Sequence, residues 1–136
     1  MDYKLELVLI PVSDVDRAKA FYVDKLGFNL DVDHQPSEEF RVVQMTPQGS
    51  ACSITIGIGI TKATPGSYEG IHLIVKDIEA ARAELVGRGV EVSEIRHMGP
   101  EGWQQGPDPE HSDYNSFADF SDPDGNTWLL QEVPSR

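Results

Sequence analysis

The sequence predicts an α+β fold built from two tandem βαβββ modules. Three observations predict it. A strand–Asp–helix–Gly pattern occurs twice, three further strand candidates follow each helix, and a Pro-x-Gly turn precedes the last strand of each half. The first half carries "LVLIPVSDVDRAKAFYVDKLGF", Leu7 to Phe28, and the second "GIHLIVKDIEAARAELVGRGVEV", Gly70 to Val92. Laying Val12-Ser13-Asp14-Val15 over Val75-Lys76-Asp77-Ile78 is an offset of 77 − 14 = 63. Ala18 then falls on Ala81, and Gly27 on Gly89 with one residue deleted. The late turns match as well, "TPQGSACSITI" over "DPDGNTWLLQE", at 125 − 49 = 76.

Each element has a local physical reason. Val8, Ile10 and Val12 alternate along the first strand, as Ile71, Leu73 and Val75 do along its counterpart. Asp14 and Asp77 suit helix N-caps, with Asp16 and Glu79 adding negative charge in the first turn. Neither cap has Glu or Gln three residues later, so the full capping box is absent. Val15, Ala18, Tyr22 and Leu26 form one apolar helical face, and Ile78, Ala81 and Leu85 the other. Gly27 and Gly89 stand where a helix end needs a left-handed residue. The remaining strands are "FNLDVDH", "FRVVQMT" and "ACSITIGI" in the first half, then "VEVSEIRH", "SFADFSD" and "NTWLLQEV" in the second. The expected organisation is a single domain, 1–136, with a first module at 1–59, a linker at 60–69 and a second module at 70–136.

Composition narrows the function. The 136 residues suffice for one core. With 11 basic and 23 acidic residues the formal net charge is −12, which repels phosphate backbones and anionic lipid, so no nucleic acid and no membrane partner is expected. One cysteine, Cys52, excludes an intrachain disulfide, and its apolar run predicts a buried, inert thiol. No run approaches a membrane span or a leader, and a cytoplasmic location is the expectation.

The strand with "VSD" leading into "AKAFYVDKLGF", its echo "VKD", and "DPDGN" before the last strand resemble the vicinal oxygen chelate superfamily, also called the glyoxalase/bleomycin resistance protein/dioxygenase group. The likeness spans nearly the whole chain, but the group includes lyases, isomerases, dioxygenases and drug-sequestering proteins. It implies sheets that curve around a cleft. It also implies four metal-ligand positions in metal-dependent members: seven residues before each capping Asp and four after the Gly of each late turn. Here these are Leu7, Gly70, Ser53 and Leu129, and none is His, Asp or Glu. Divalent metals need several converging N, O or S ligands, so no metal and no other cofactor is expected at that site. A two-residue slip of the alignment would bring in His72 and Gln131, still a poor set. Asp122, Asp124 and Asn126 start like a calcium loop, yet Val133 holds the twelfth position, so the stretch reads as a turn that satisfies its own amides.

The candidate ligand-binding residues are Leu7, Leu9, His72, Leu129 and Gln131 along a cleft, with Trp103, His111 and Tyr114 in a Gly- and Pro-rich segment from Met98 to Ser116. That segment is long for a plain connection and reads as either disordered or a lid. His34 and His97 end strands and are expected at the surface, whereas Trp128 alternates to the helix side and is expected in the core. Catalytic residues cannot be assigned. One reading is a metal-independent protein that sequesters a small apolar or aromatic molecule. The alternative is a lyase or isomerase acting on a small organic substrate, with or without a displaced divalent metal. A homodimer is expected in either case, because short curved sheets leave edges to cover.

Overall fold

The computed structural model describes every residue, Met1–Arg136, and the chain divides into two compact units. The first comprises Met1–Tyr68 together with Asp122–Asn126, and the second comprises Glu69–Ser121 with Thr127–Arg136. No helix is long and apolar enough to cross a membrane.

In the first unit, β1 (Leu7–Leu9) leads to α1 (Val15–Ala20), which continues as a π-helical turn, Phe21–Lys25. Then come β2 (Asn29–Ser37), β3 (Phe40–Thr46) and β4 (Ser53–Ile58). The sheet order is β1-β4-β3-β2, with β1 parallel to β4 and the other pairs antiparallel. Asp14 caps α1 by accepting from the Arg17 amide at 3.0 Å. Gly27, at φ 74°, turns the chain so that the Phe28 amide reaches the Tyr22 carbonyl at 3.0 Å. Val15, Ala18 and Tyr22 are buried against Val43, Met45, Ile54 and Ile56, while Leu26 is half-buried.

The second unit repeats the scheme with β5 (Ile71–Val75), α2 (Ile78–Gly87), β6 (Arg96–Gly99), β7 (Gly102–Gln105), β8 (Ser116–Ser121) and β9 (Thr127–Glu132). Its order is β5-β9-β8-β6-β7, with β5 parallel to β9. Asp77 caps α2 through the Ala80 amide at 3.1 Å. Ile78, Leu85, Ala118, Phe120, Trp128 and Leu130 fill the core, as expected for Trp128.

Several expectations change. The strand expected from "VEVSEIRH" begins only at Arg96. The Arg82 guanidinium takes the carbonyls of Ser93 (2.8 Å) and Val92 (3.2 Å), and only the Ser93 amide and hydroxyl reach β8, at the Asp119 backbone. The segment from Met98 to Ser116 is not a bare loop: β6 and β7 pair as a hairpin, Met98 opposite Trp103 and Gly99 opposite Gly102. His97 is buried, its Nδ1 donating to the Gly106 carbonyl at 2.8 Å, because the hairpin covers it. Cys52 is half-buried just before β4.

The "DPDGN" stretch is a turn whose side-chain polar atoms are all engaged. Asp122 Oδ1 accepts from the Asp124 and Asn126 amides, both at 3.0 Å. Its Oδ2 accepts from Tyr22 Oη at 2.7 Å and Asn126 Nδ2 at 2.8 Å. Asp124 accepts from the Ser13 amide and hydroxyl, and Asn126 Nδ2 also donates to the Pro11 carbonyl at 2.8 Å. Gly66, at φ 79°, lets the connecting segment pass so close that a Cβ there would fall 2.1 Å from the Asp124 carbonyl oxygen. These carboxylates serve the fold and have no lone pairs arranged around a cation.

Candidate functional site

The site follows from strand alternation in the second unit. Trp128, Leu130 and Glu132 of β9 are buried, so Leu129 and Gln131 point from the opposite face of the sheet, away from α2. Pairing carries that face across the strands. His72 lies opposite Leu129 and Ile74 opposite Gln131 on β5. On β8, Asp119 lies opposite Leu129 and Phe117 opposite Gln131. Arg96 of β6 pairs with Phe117, and Trp103 of β7 pairs with Met98, two residues after Arg96.

Four side chains give this face its character. Trp103 is 56% exposed and meets the Phe117 ring edge-on, centroids 5.5 Å apart at 78°. The Arg96 guanidinium lies over the Trp103 ring at 5.3 Å and forks onto Asp119, Nη1 to Oδ2 at 2.7 Å and Nη2 to Oδ1 at 3.3 Å. The ion pair is partly exposed and adds little stability in water. It does hold a planar cation beside an aromatic pair. Chemically the face is an apolar floor (Phe117, Leu129, Ile74) with an aromatic end and a few oriented polar groups.

His72, Trp103, Leu129 and Gln131 are thus brought onto one face. His72 and Trp103 nevertheless sit on the two edge strands, four interstrand spacings or roughly 19 Å apart along the sheet. Leu7 and Leu9 lie on β1 of the first unit, opposite Ser53 and Thr55. Tyr114 sits at φ 69°, its carbonyl accepting from Gln131 Nε2 at 3.1 Å and its hydroxyl from Arg136 at 2.9 Å. His111 does not join the face. Its Nδ1 lies 2.9 Å from Oε1 of Glu132, a residue only 1% exposed on the helix side, whose Oε2 accepts from the Ile78 amide at the start of α2. The bond to Glu132 raises the His111 pKa, and the charges of Glu132, Glu79 and Asp108 add to it. Asp108 anchors the same loop: the Glu110 amide, then Ser112, hold its carboxylate below the usual range. Arg96, Phe117 and Asp119 were missed in the sequence. Phe117 and Asp119 had a signal, their two-residue alternation in "SFADFSD" against Leu129 and Gln131, whereas Arg96 had none.

The pairing register also bears on metal binding. Ser53 pairs with Leu7, its amide donating to the Glu6 carbonyl at 2.9 Å. Leu129 pairs with His72, not with Gly70. The strand-to-cap spacing is therefore two residues shorter in the second unit, 77 − 72 = 5 against 14 − 7 = 7. By register the four positions become Leu7, Ser53, His72 and Leu129. Ser53 is buried and already bonded to Thr46 Oγ1 (2.6 Å) and Gln44 Nε2 (3.4 Å). One imidazole among leucines does not fit a divalent metal, and nowhere do three or more His, Cys, Asp or Glu gather to hold one.

Comparison with known proteins agrees with this architecture. Residues 4–130 match the family described as the Glyoxalase/Bleomycin resistance protein/Dioxygenase superfamily. TnmS3, described as an antibiotic binding protein from Streptomyces sp. CB03234, is 35% identical over 97% of both chains, with a TM-score of 0.75. A glyoxalase/bleomycin resistance protein from the same strain is 36% identical, covering 95% of this chain and 100% of that one, with a TM-score of 0.71. The uncharacterized protein YetH of Bacillus subtilis (strain 168) is 26% identical over 92% of this chain and 94% of its own length.

Proposed function

The chain belongs to the glyoxalase/bleomycin resistance protein/dioxygenase superfamily, and on that premise we propose that it binds a small apolar or aromatic molecule without a metal, as a sequestering protein does. The observation that carries the reading is Trp103: an indole more than half exposed, set edge-on to Phe117 and beneath Arg96, on a sheet face floored by Leu129. An exposed aromatic cluster of this kind gains when a flat ligand covers it, about 2.5 kcal/mol per 100 Å² of apolar area removed from water. The similarity to TnmS3 supports the same reading.

A thermal-shift and tryptophan-fluorescence screen with aromatic natural products and divalent metals tests it. Aromatic compounds should raise Tm and perturb Trp103 emission, and metals alone should do neither. Turnover that depends on one divalent metal would replace this reading with that of a lyase or isomerase.

The protein acts as a homodimer in this proposal. All nine residues of the edge strand β2 are exposed, and Val32, Phe40 and Ile58 leave apolar surface on the first sheet for a second copy to cover. A single monomeric species in sedimentation at micromolar protein would refute it.

A further inference from the structure

His72 carries chemistry that the aromatic cluster does not account for. Its Nδ1 lies 2.7 Å from the Gly70 carbonyl oxygen. A carbonyl oxygen only accepts, so in the neutral ring the proton sits on Nδ1 and the lone pair on Nε2. The bond also fixes the ring's orientation, because Gly70 immediately precedes β5 and its own amide donates to Thr127 Oγ1 at 2.8 Å. The side chain is exposed and shares the open face with its register partner Leu129. Beyond Leu129, in the same row, stands Asp119, whose two oxygens are taken by Arg96. The face thus offers an oriented imidazole nitrogen at one edge, then an apolar floor, then a carboxylate already neutralised by a guanidinium.

We infer that the ligand carries a hydrogen-bond donor, a phenolic or alcoholic hydroxyl or a ring N–H, on the end of its flat apolar body that reaches His72 Nε2. The inference rests on the proposed small-molecule reading and narrows its ligand class. An acceptor of fixed direction discriminates by chemistry rather than size. A hydroxyl is received, whereas the corresponding methyl ether has no proton to give and leaves Nε2 desolvated and unpaired. An anionic ligand finds no unpaired cation on this row, and a net charge of −12 disfavours its approach.

Two probes of nearly equal apolar area, 2-naphthol and 2-methoxynaphthalene, separate the possibilities. The full chain is titrated with each while amide and side-chain resonances are followed by NMR, alongside His72→Phe and His72→Asn, with melts to verify that both variants fold. The parent should bind the naphthol roughly two- to tenfold more tightly than the ether, with shifts at Leu129 and Asp119. His72→Phe should abolish the preference while still binding the ether, and His72→Asn should recover part of it. Equal affinity for the two probes in the parent, or a preference unchanged in His72→Phe, overturns the inference and leaves the small-molecule reading standing. If neither probe shifts any resonance of this face, the reading of the face itself falls, and the inference with it.

Discussion

The Tyr22 hydroxyl donates to Asp122 Oδ2 at 2.7 Å, a buried bond between residues 100 positions apart. It explains why Asp122–Asn126, which lies between two strands of the second unit, packs with the first. Tyr22 is fully buried on the helical turn after α1, and Asp122 also accepts from two backbone amides and from Asn126. The carboxylate is satisfied on all sides, so its burial is tolerated.

Removing that hydroxyl should therefore cost more than an average surface change. Tyr22→Phe leaves one oxygen of a buried carboxylate short of a donor while keeping the ring packed against Phe28. The expected loss is about 1–3 kcal/mol, read as a lower urea midpoint with an unchanged slope. A midpoint equal to the parent's would show that the bond contributes nothing.

Much of this fold was legible because the two periods were strong. The alternation of Ile71, Leu73 and Val75, the Asp caps and the post-helical glycines each have a local cause, and each reappears in the structure. What was not legible depended on which partners each stretch meets once folded. Val92 and Ser93 look like strand until Arg82 takes their carbonyls. Met98 and Trp103 look like loop because Gly and Pro surround them, yet they face each other across a hairpin. The site was half legible. His72, Leu129 and Gln131 follow from parity, as Phe117 and Asp119 do on β8, but Arg96 becomes visible only once β6 is set beside β8. His111 was drawn away by a buried glutamate that no spacing announces.

That glutamate makes stability depend on pH in a definite direction. The folded-state pKa of His111 is raised above its ordinary value of 6.5, chiefly by the bond to Glu132. The stabilisation it contributes is complete below pH 6.5 and is lost as pH climbs through the raised value. His111→Asn removes the charge and tolerates the left-handed backbone at φ 49°. The gap in Tm between parent and variant should be wide at about pH 5.5 and narrow at about pH 8.5. A gap that is constant across that range, or one that widens with pH, contradicts the pairing.

Chelation should leave the protein unchanged. The positions where metal-dependent relatives of this fold place ligands hold Leu7, Ser53, His72 and Leu129, and Ser53 is already bonded to Thr46. Melts with and without EDTA should coincide, and elemental analysis should find no stoichiometric metal. A tightly held metal lost on His72→Ala would show that the imidazole finds partners elsewhere.

The two tryptophans should part company. Trp128 is 1% exposed and stacks on Phe120 with centroids 6.1 Å apart, at the centre of the second unit's core. Trp128→Ala removes a packed indole and should cost about 3–5 kcal/mol. Trp103 is 56% exposed on the edge strand β7, touching Phe117 and Arg96. Trp103→Ala forfeits an edge-on ring contact and a cation–π contact, each worth roughly 0.5–1.5 kcal/mol, so its melt should fall only slightly. Binding should reverse the order. An aromatic ligand found in the screen should bind Trp103→Ala more weakly than the parent, by about three- to tenfold if ring stacking is what is lost. Where Trp128→Ala still folds, its open face is intact and its affinity should stay near the parent's. If Trp103→Ala binds as the parent does, or melts as low as Trp128→Ala, then the indole anchors the β6–β7 hairpin and the ligand lies elsewhere.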